Sequence, residues 1–126
     1  MTWWAIQQAV YTRLADQLSV PVYDHAPQDV MFPYVELGEI EAIPFDTDDS
    51  IGSETTVTIH SWSRYRGWKE IKEIQAKVYD ALHRYNLPVS GAHLITVEFE
   101  IGRTFLDADG LTRHGVQEFR IITEKE

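Results

Sequence analysis

The run "DTDD" holds the densest set of side chains that could do chemistry, the carboxylates of Asp46, Asp48 and Asp49. Carboxylate oxygens are ligands that Ca²⁺ and Mg²⁺ prefer. The run lacks the alternating ligands and the closing bidentate Glu of a twelve-residue calcium loop, however. A solvated or partner-binding loop is therefore the favoured interpretation, and a divalent-metal site is the alternative.

Histidine is the second residue type with catalytic or metal-binding chemistry, and no two of the five histidines stand in a ligand motif such as paired His four residues apart on a helix. They are His25, His60, His83, His93 and His114. His60 shares a predicted strand face with Trp62, which favours a packed or hydrogen-bonded imidazole over a catalytic one. The sequence has neither a "GxSxG" elbow nor a glycine-rich phosphate loop. A metal-dependent hydrolase built on the acidic run and His60 is the alternative to a non-enzymatic protein without cofactors.

Length and charge restrict the classes of partner. The 126 residues fit one domain, 1–126, and the lack of cysteine excludes disulfides and thiolate metal sites. Neither a signal peptide nor an apolar run of membrane-spanning length is seen, so a soluble protein of the cytoplasm is expected. The net charge of −9, from 20 acidic and 11 basic residues, opposes tight DNA binding. Arg64, Arg66 and Lys69 offer only a local basic patch.

Apolar spacing predicts the elements that must position these groups. One helix is expected from Trp3 to Leu18, with the Thr2 hydroxyl as its cap, and a second within 66–86. Strands are expected at Val20–Tyr23 and from Tyr34, and Pro44–Ser53 is predicted to be a mobile acidic loop.

Three further segments alternate as strands with two distinct faces. "TTVTIHSWS" puts Val57 and Ile59 on one face and Thr56, Thr58, His60 and Trp62 on the other. "LITVEFEIG" groups Ile95, Val97, Phe99 and Ile101, and "HGVQEFRIIT" groups Phe119 and Ile121. The order predicts an α+β fold, in which an antiparallel sheet of four to five strands carries both helices on one face.

Aromatic residues are numerous for so small a chain, with 4 Trp and 6 Tyr. Trp3 and Trp4 are adjacent and cannot share one helical face, so aromatic surface is expected to be exposed, as at protein interfaces. Filling of a small core is an equally supported explanation. Partner binding ranks above catalysis, and the residues assigned to interfaces are Trp3, Trp4, Asp24, His25, Phe45, Asp46, Asp48, Asp49, His60 and Trp62.

Three ordered segments resemble the DUF3168 family, tail-completion proteins of long-tailed phages and prophages. They are "VYDHAPQDVMFPYVELGE", "VTIHSWSRYRGWKEIKEIQAKVYDAL" and "LDADGLTRHGVQEFRI", and together they cover nearly the whole chain. The resemblance implies a tail terminator that forms a hexameric ring at the head-proximal end of the tail tube of a siphovirus. Such a ring stops tube growth and joins the tail to the head.

The resemblance also implies partners and a location. The implied partners are further copies of the chain, the major tail tube protein and a head-completion or connector protein, in a virion assembled in the host cytoplasm. It carries over no catalytic, cofactor-binding or metal-binding residues, and it implies that Asp24 and His25 serve loop geometry or a subunit contact. A head-closure or adaptor protein of the neck is the alternative of the same structural class.

Overall fold

The computed structural model describes residues 2–126, and seven elements follow one another in this part of the chain. The first helix and strand are followed by a long hairpin, a second helix and a second hairpin. Their bounds are α1 (Trp3–Gln17), β1 (Val22–Tyr23), β2 (Tyr34–Pro44), β3 (Gly52–Ser63), α2 (Lys69–Leu82), β4 (Ala92–Leu106) and β5 (Arg113–Lys125). Neither helix is long and apolar enough to cross a bilayer.

The five strands form one sheet in the order β1-β2-β3-β5-β4. Pairing is antiparallel from β2 through β4, as predicted, but β1 runs parallel to β2, so the sheet is mixed. The parallel pair arises because the chain between β1 and β2, residues 24–33, returns to the starting end before β2 begins. The predicted α+β architecture is confirmed.

Both helices pack their apolar stripes on one face of the sheet. Each stripe repeats every three or four residues, and each fills a common core with the inward side chains of the strands. The buried stripe residues are Ile6, Val10 and Leu14 of α1, and Ile71, Ile74, Val78 and Leu82 of α2. The predicted Thr2 hydroxyl cap is wrong: the Thr2 backbone is not extended, and only its carbonyl accepts a bond, from the Ile6 amide at 2.9 Å.

A polar bridge joins α2 to the sheet within this face. Gln75 accepts a bond from Thr104 Oγ1 at 2.6 Å and donates from Nε2 to the Arg103 carbonyl at 3.0 Å. Its own carbonyl accepts from Gln117 Nε2 at 2.9 Å. A Cβ on Gly115 would lie 2.7 Å from the Gln75 amide, so glycine makes room for this bridge.

The face assignment of β4 is only half correct. The register shifts between Leu94 and Thr96 and again between Phe99 and Ile101. Each β-bulge inserts one residue and reverses the alternation beyond it. Val97 is buried as predicted, whereas Ile95 and Ile101 are exposed.

The free edge of β4 is partly occupied by the end of α2. Beyond the helix, Arg84 adopts a positive φ of 57° and donates its amide to the Val97 carbonyl at 2.8 Å. The Phe99 amide donates to Nδ1 of His83 at 3.1 Å. Groups that would otherwise face outward from an edge strand are therefore hydrogen bonded within the chain.

The predicted loop Pro44–Ser53 is the end of a regular hairpin. The Phe45 amide donates to the Gly52 carbonyl and the Thr47 amide to the Ser50 carbonyl, both at 3.0 Å. These bonds extend the β2–β3 ladder to a tight turn. The acidic residues Asp46, Asp48 and Asp49 lie at the end of this hairpin.

Two isoleucine substitutions test the second bulge of β4. Ile121→Ala, in the core, should lower the free energy of unfolding by about 2–5 kcal/mol, because it removes a fully buried side chain. Ile101→Ala should cost about 0.5 kcal/mol or less, because that side chain is exposed. Urea denaturation measures both. Equal losses would place Ile101 in the core and contradict the second bulge.

Candidate functional site

The face of the sheet opposite the helices carries a continuous row of rings. Phe105, His114, Trp62 and Tyr34, here called the aromatic row, belong to β4, β5, β3 and β2 respectively. Neighbouring ring centroids lie 4.8, 4.6 and 4.8 Å apart in that order. Rings at these separations make favourable aromatic contacts. The aromatic row therefore spans four of the five strands.

Strand register produces the aromatic row. Phe105 pairs with His114, His114 with Trp62, and Trp62 with Tyr34. Directly opposed residues place their side chains on the same face of a sheet. The residue before Trp62, Ser61, is directed to the helix face and is fully buried.

His60 adds a second layer to the aromatic row. Its Nδ1 lies 2.9 Å from Nε2 of His114, and its Nε2 lies 3.2 Å from a carboxylate oxygen of Glu39. On the other side, Nδ1 of His114 lies 3.5 Å from Asp107. The prediction of a packed, hydrogen-bonded His60 beside Trp62 is confirmed, since the two rings stack at 5.4 Å.

Glycine at position 38 makes room for His60. A Cβ built on Gly38 would lie 2.5 Å from the His60 ring, closer than side chains approach one another. The imidazole therefore lies directly over the β2 backbone. Within residues 2–126, the hydrogen-bond partners of His60 and His114 are each other and the carboxylates of Glu39 and Asp107.

Burial changes the proton affinity of two groups in the aromatic row. The pKa of His114 lies below its ordinary value, first because of burial and then because of the neighbouring His60, with Asp107 and Glu39 opposing both effects. Burial, followed by the charge of Glu36, raises the pKa of Tyr34. Both shifts favour uncharged rings, as expected for a packing surface.

A second surface combines three of the residues assigned to interfaces. Trp4, Asp24 and His25 line a groove of about 540 Å³ between α1 and the segment that follows β1. Gln7 on α1 donates a hydrogen bond to Asp24, which ties that segment to the helix. Trp3 is also exposed, but it does not line this groove.

The hairpin tip is a third, separate surface. Asp46 accepts a bond from the Gly52 amide at 3.1 Å, and Asp49 accepts one from the Thr47 hydroxyl at 3.2 Å. His60 lies eight residues further along β3 than Gly52, so the acidic tip and His60 do not meet. Among residues 2–126, no three His, Asp or Glu side chains are arranged to hold a metal ion. The hydrolase interpretation, which required these two parts together, is wrong.

Sequence reasoning found Trp62 and His60 but missed their cross-strand partners. Tyr34, Phe105 and His114 meet them only through pairing between strands, and one of these pairings, β3 with β5, joins strands that are distant in the sequence. One local signal was available, because the turn "DADG" makes β4 and β5 a hairpin. Counting outward from that turn brings Phe105 opposite His114.

The lowered pKa of His114 predicts a pH-dependent stability. A folded-state pKa below the ordinary 6.5 means that the unfolded chain binds more protons between the two values. His114 therefore contributes stability that is present above about pH 6.5 and declines as the pH falls below it. His114→Gln should reduce the loss of unfolding free energy between about pH 7 and pH 5.

Denaturant titrations at several pH values measure this effect. His93→Gln is the matched control, because His93 lies exposed on β4. It should keep the pH dependence of the unsubstituted protein. The same pH dependence in all three proteins would remove His114 as its source.

Comparison with known proteins adds independent information. The family model "Tail completion protein gp17" matches residues 5–124. Tail completion protein gp17 of Bacillus phage SPP1 is 29% identical over 93 residues, which cover 74% of this chain and 69% of that protein.

Two solved structures have similar folds. A chain from "Virion of native gene transfer agent (GTA) particle" has a TM-score of 0.87 at 25% identity, with 98% of this chain and 97% of that chain covered. The structure of bacteriophage SPP1 gp17 protein has a TM-score of 0.62 at 24% identity, with 96% and 94% covered, and shows the fold alone.

The resemblance to phage tail-completion proteins is thus confirmed, and the narrower name DUF3168 stays a prediction. The family match covers nearly the whole chain, and the relative from phage SPP1 bears the same description. The chain therefore belongs to the tail completion protein gp17 family and is a structural component of phage-type tails rather than an enzyme.

Proposed function

We propose that this protein is a tail terminator, which forms a hexameric ring at the head-proximal end of the tail tube of a siphovirus or a prophage. The ring stops polymerisation of the major tail tube protein and presents a surface to a head-completion or connector protein. The chain 1–126 acts as one tail-completion domain in this role. The proposal rests on the family match over residues 5–124.

The similarity to a chain in a gene transfer agent virion supports a place in an assembled particle. That similarity extends over 98% of the chain with a TM-score of 0.87, so no large part of the fold differs. A subunit of a ring needs two different surfaces that contact its neighbours, because a cyclic assembly larger than a dimer is built from heterologous contacts. The groove lined by Trp4, Asp24 and His25, the hairpin tip and the aromatic row are separate surfaces available for such contacts.

The net charge suits a ring through which DNA passes. Each subunit carries a formal charge of −9, and six copies would surround the channel with negative charge. Such a field repels phosphates and keeps DNA from adhering during its passage. The interface roles of Trp3, Trp4, Asp24 and His25, together with Phe45, Asp46, Asp48, Asp49, His60 and Trp62, belong to this proposal.

Interruption of the gene in the parent phage tests the proposed function. Electron microscopy of the lysate should show DNA-filled heads beside separate tails, and the tails should vary in length or exceed the normal length. Expression of the intact gene from a plasmid should restore joined, infectious particles. Normal infectious particles without the gene would overturn the proposal.

The distribution of tail lengths separates a terminator from a head-closure protein of the neck. A terminator acts on the growing tube, so its loss should broaden that distribution. Separate tails of uniform normal length beside unjoined heads would instead support the head-closure alternative.

The charge also predicts weak binding to double-stranded DNA. The purified protein should not retard a DNA fragment at about 0.15 M salt, because phosphate neutralisation supplies most non-specific affinity. A gel-shift titration measures this, and retardation at micromolar protein would contradict the prediction.

A further inference from the structure

We propose that the tip of the β2–β3 hairpin in one copy docks onto a basic aromatic surface at the opposite end of the sheet in the next copy. The tip is residues 43–51. The receiving surface, here called the Trp68 surface, consists of Tyr65, Arg66, Trp68, Lys72, Thr104 and Arg113. This inference rests on the proposed ring and identifies which two surfaces meet in it.

The hairpin tip is a hydrogen-bonded projection with exposed apolar side chains. Ile43, Phe45 and Ile51 are 56%, 41% and 63% exposed. The tip is held by the backbone bonds of the extended ladder and by a bond of 2.7 Å between the hydroxyls of Thr47 and Ser50. A preorganised tip loses little conformational entropy when it binds.

The Trp68 surface has the complementary chemistry. Trp68, Lys72 and Thr104 line a depression of about 310 Å³. The Arg113 guanidinium lies 5.3 Å from the centre of the Trp68 ring, and Tyr65 is 66% exposed nearby in the chain. Apolar rings flanked by cations suit a segment such as Phe45 with its neighbouring aspartates.

The charges at both ends form no ion pairs with one another or with other groups in residues 2–126. Among residues 2–126, no ion pair involves Asp46, Asp48 or Asp49 at the tip. The same holds for the cations of the Trp68 surface, Arg66, Lys72 and Arg113.

Carboxylates close to the Trp68 surface are already engaged. Glu70 accepts a bond from Ser63 at 2.6 Å, and Asp109 accepts bonds from the Thr112 amide and hydroxyl. These bonds, together with the Leu111 amide, lower the pKa of Asp109 to about 2. Neither Glu70 nor Asp109 forms an ion pair with Arg66, Lys72 or Arg113 in the described residues, so these cations remain available to an acidic partner.

Strand β3 separates the two surfaces. The tip precedes Gly52 and the Trp68 surface begins just beyond Ser63, so about 36 Å of extended chain lies between them. The tip cannot fold back onto the Trp68 surface of its own chain. Contact between tip and surface must therefore join two copies head to tail, which is the arrangement that closes into a ring.

Charge reversal tests the docking in phage that lack the chromosomal gene. The tip variant carries Asp48→Lys and Asp49→Lys, and the surface variant carries Arg66→Glu and Lys72→Glu. Phage supplied with either variant alone should lose infectivity, because charges of the same sign would meet at every contact in the ring. Co-expression of the two variants should restore infectivity. The basic tip of one variant then meets the acidic surface of the other, and the acidic tip of the second meets the basic surface of the first, so alternating variants can close a ring of six.

A control separates this effect from a general change of charge. Asp16→Lys with Asp80→Lys alters the net charge as the tip variant does, at exposed positions on α1 and α2. That protein should support normal infectivity. Circular dichroism of every variant should show the fold of the unsubstituted protein, and a variant that does not fold is replaced by its single substitutions.

Disulfide trapping gives a direct second readout, because the chain contains no cysteine. A protein with Asp48→Cys and Arg66→Cys should form a ladder of covalent oligomers when purified tails are oxidised. Either single substitution should form no ladder, because one cysteine per chain joins at most two copies. A disulfide requires the two Cα atoms to lie within about 7 Å. Cysteines at the neighbouring positions 47 and 65 are therefore a second pair, in case positions 48 and 66 lie further apart than this.

The outcomes separate this inference from the proposed function. If the surface variant lost infectivity and the tip variant kept it, the Trp68 surface would bind another protein or DNA, and the docking would be overturned. Normal infectivity of both variants, or no ladder from either cysteine pair, would also overturn it. The proposed function would still stand if gene interruption gave tails of abnormal length.

Discussion

The pairing of β3 with β5 at the centre of the sheet is the constraint on which the other features depend. Twelve residue pairs follow one another without a shift, from Gly52 opposite Glu124 to Ser63 opposite Arg113. This uninterrupted register fixes which side chains face the helices and which face away. A slip by one residue would exchange the two faces and expose the core.

The same register creates two surfaces of different character. On the helix side, Val57 pairs with Phe119, and both are buried under the two helices. On the other side, Trp62 pairs with His114 and builds the aromatic row without help from either helix. The open face is therefore held by ring contacts and by the His60 and His114 hydrogen bond, in place of a second covering layer.

Periodicity in the sequence was sufficient to predict both helices, the inward faces of β3 and β5 and the α+β class, because each depends on local alternation. It failed at Ile95 and Ile101, where bulges reverse the faces of β4 without a local sequence signal. It also failed for the aromatic row, whose members meet only through pairing between strands, including the pairing of β3 with the distant β5. Of the residues assigned to interfaces, Trp4, Asp24 and His25 line one groove, whereas the hairpin tip and His60 lie elsewhere on the molecule, and their interface roles stay predictions.

The hydrogen bonds that the end of α2 makes to the outer edge of β4 have a consequence for how this protein contacts others. An edge strand with free amides and carbonyls can recruit another strand and so begin open-ended aggregation. Here the Arg84 amide and the His83 imidazole occupy the Val97 carbonyl and the Phe99 amide. The fold thereby blocks strand addition at the middle of this edge, which leaves side chains as the groups that can make contacts there.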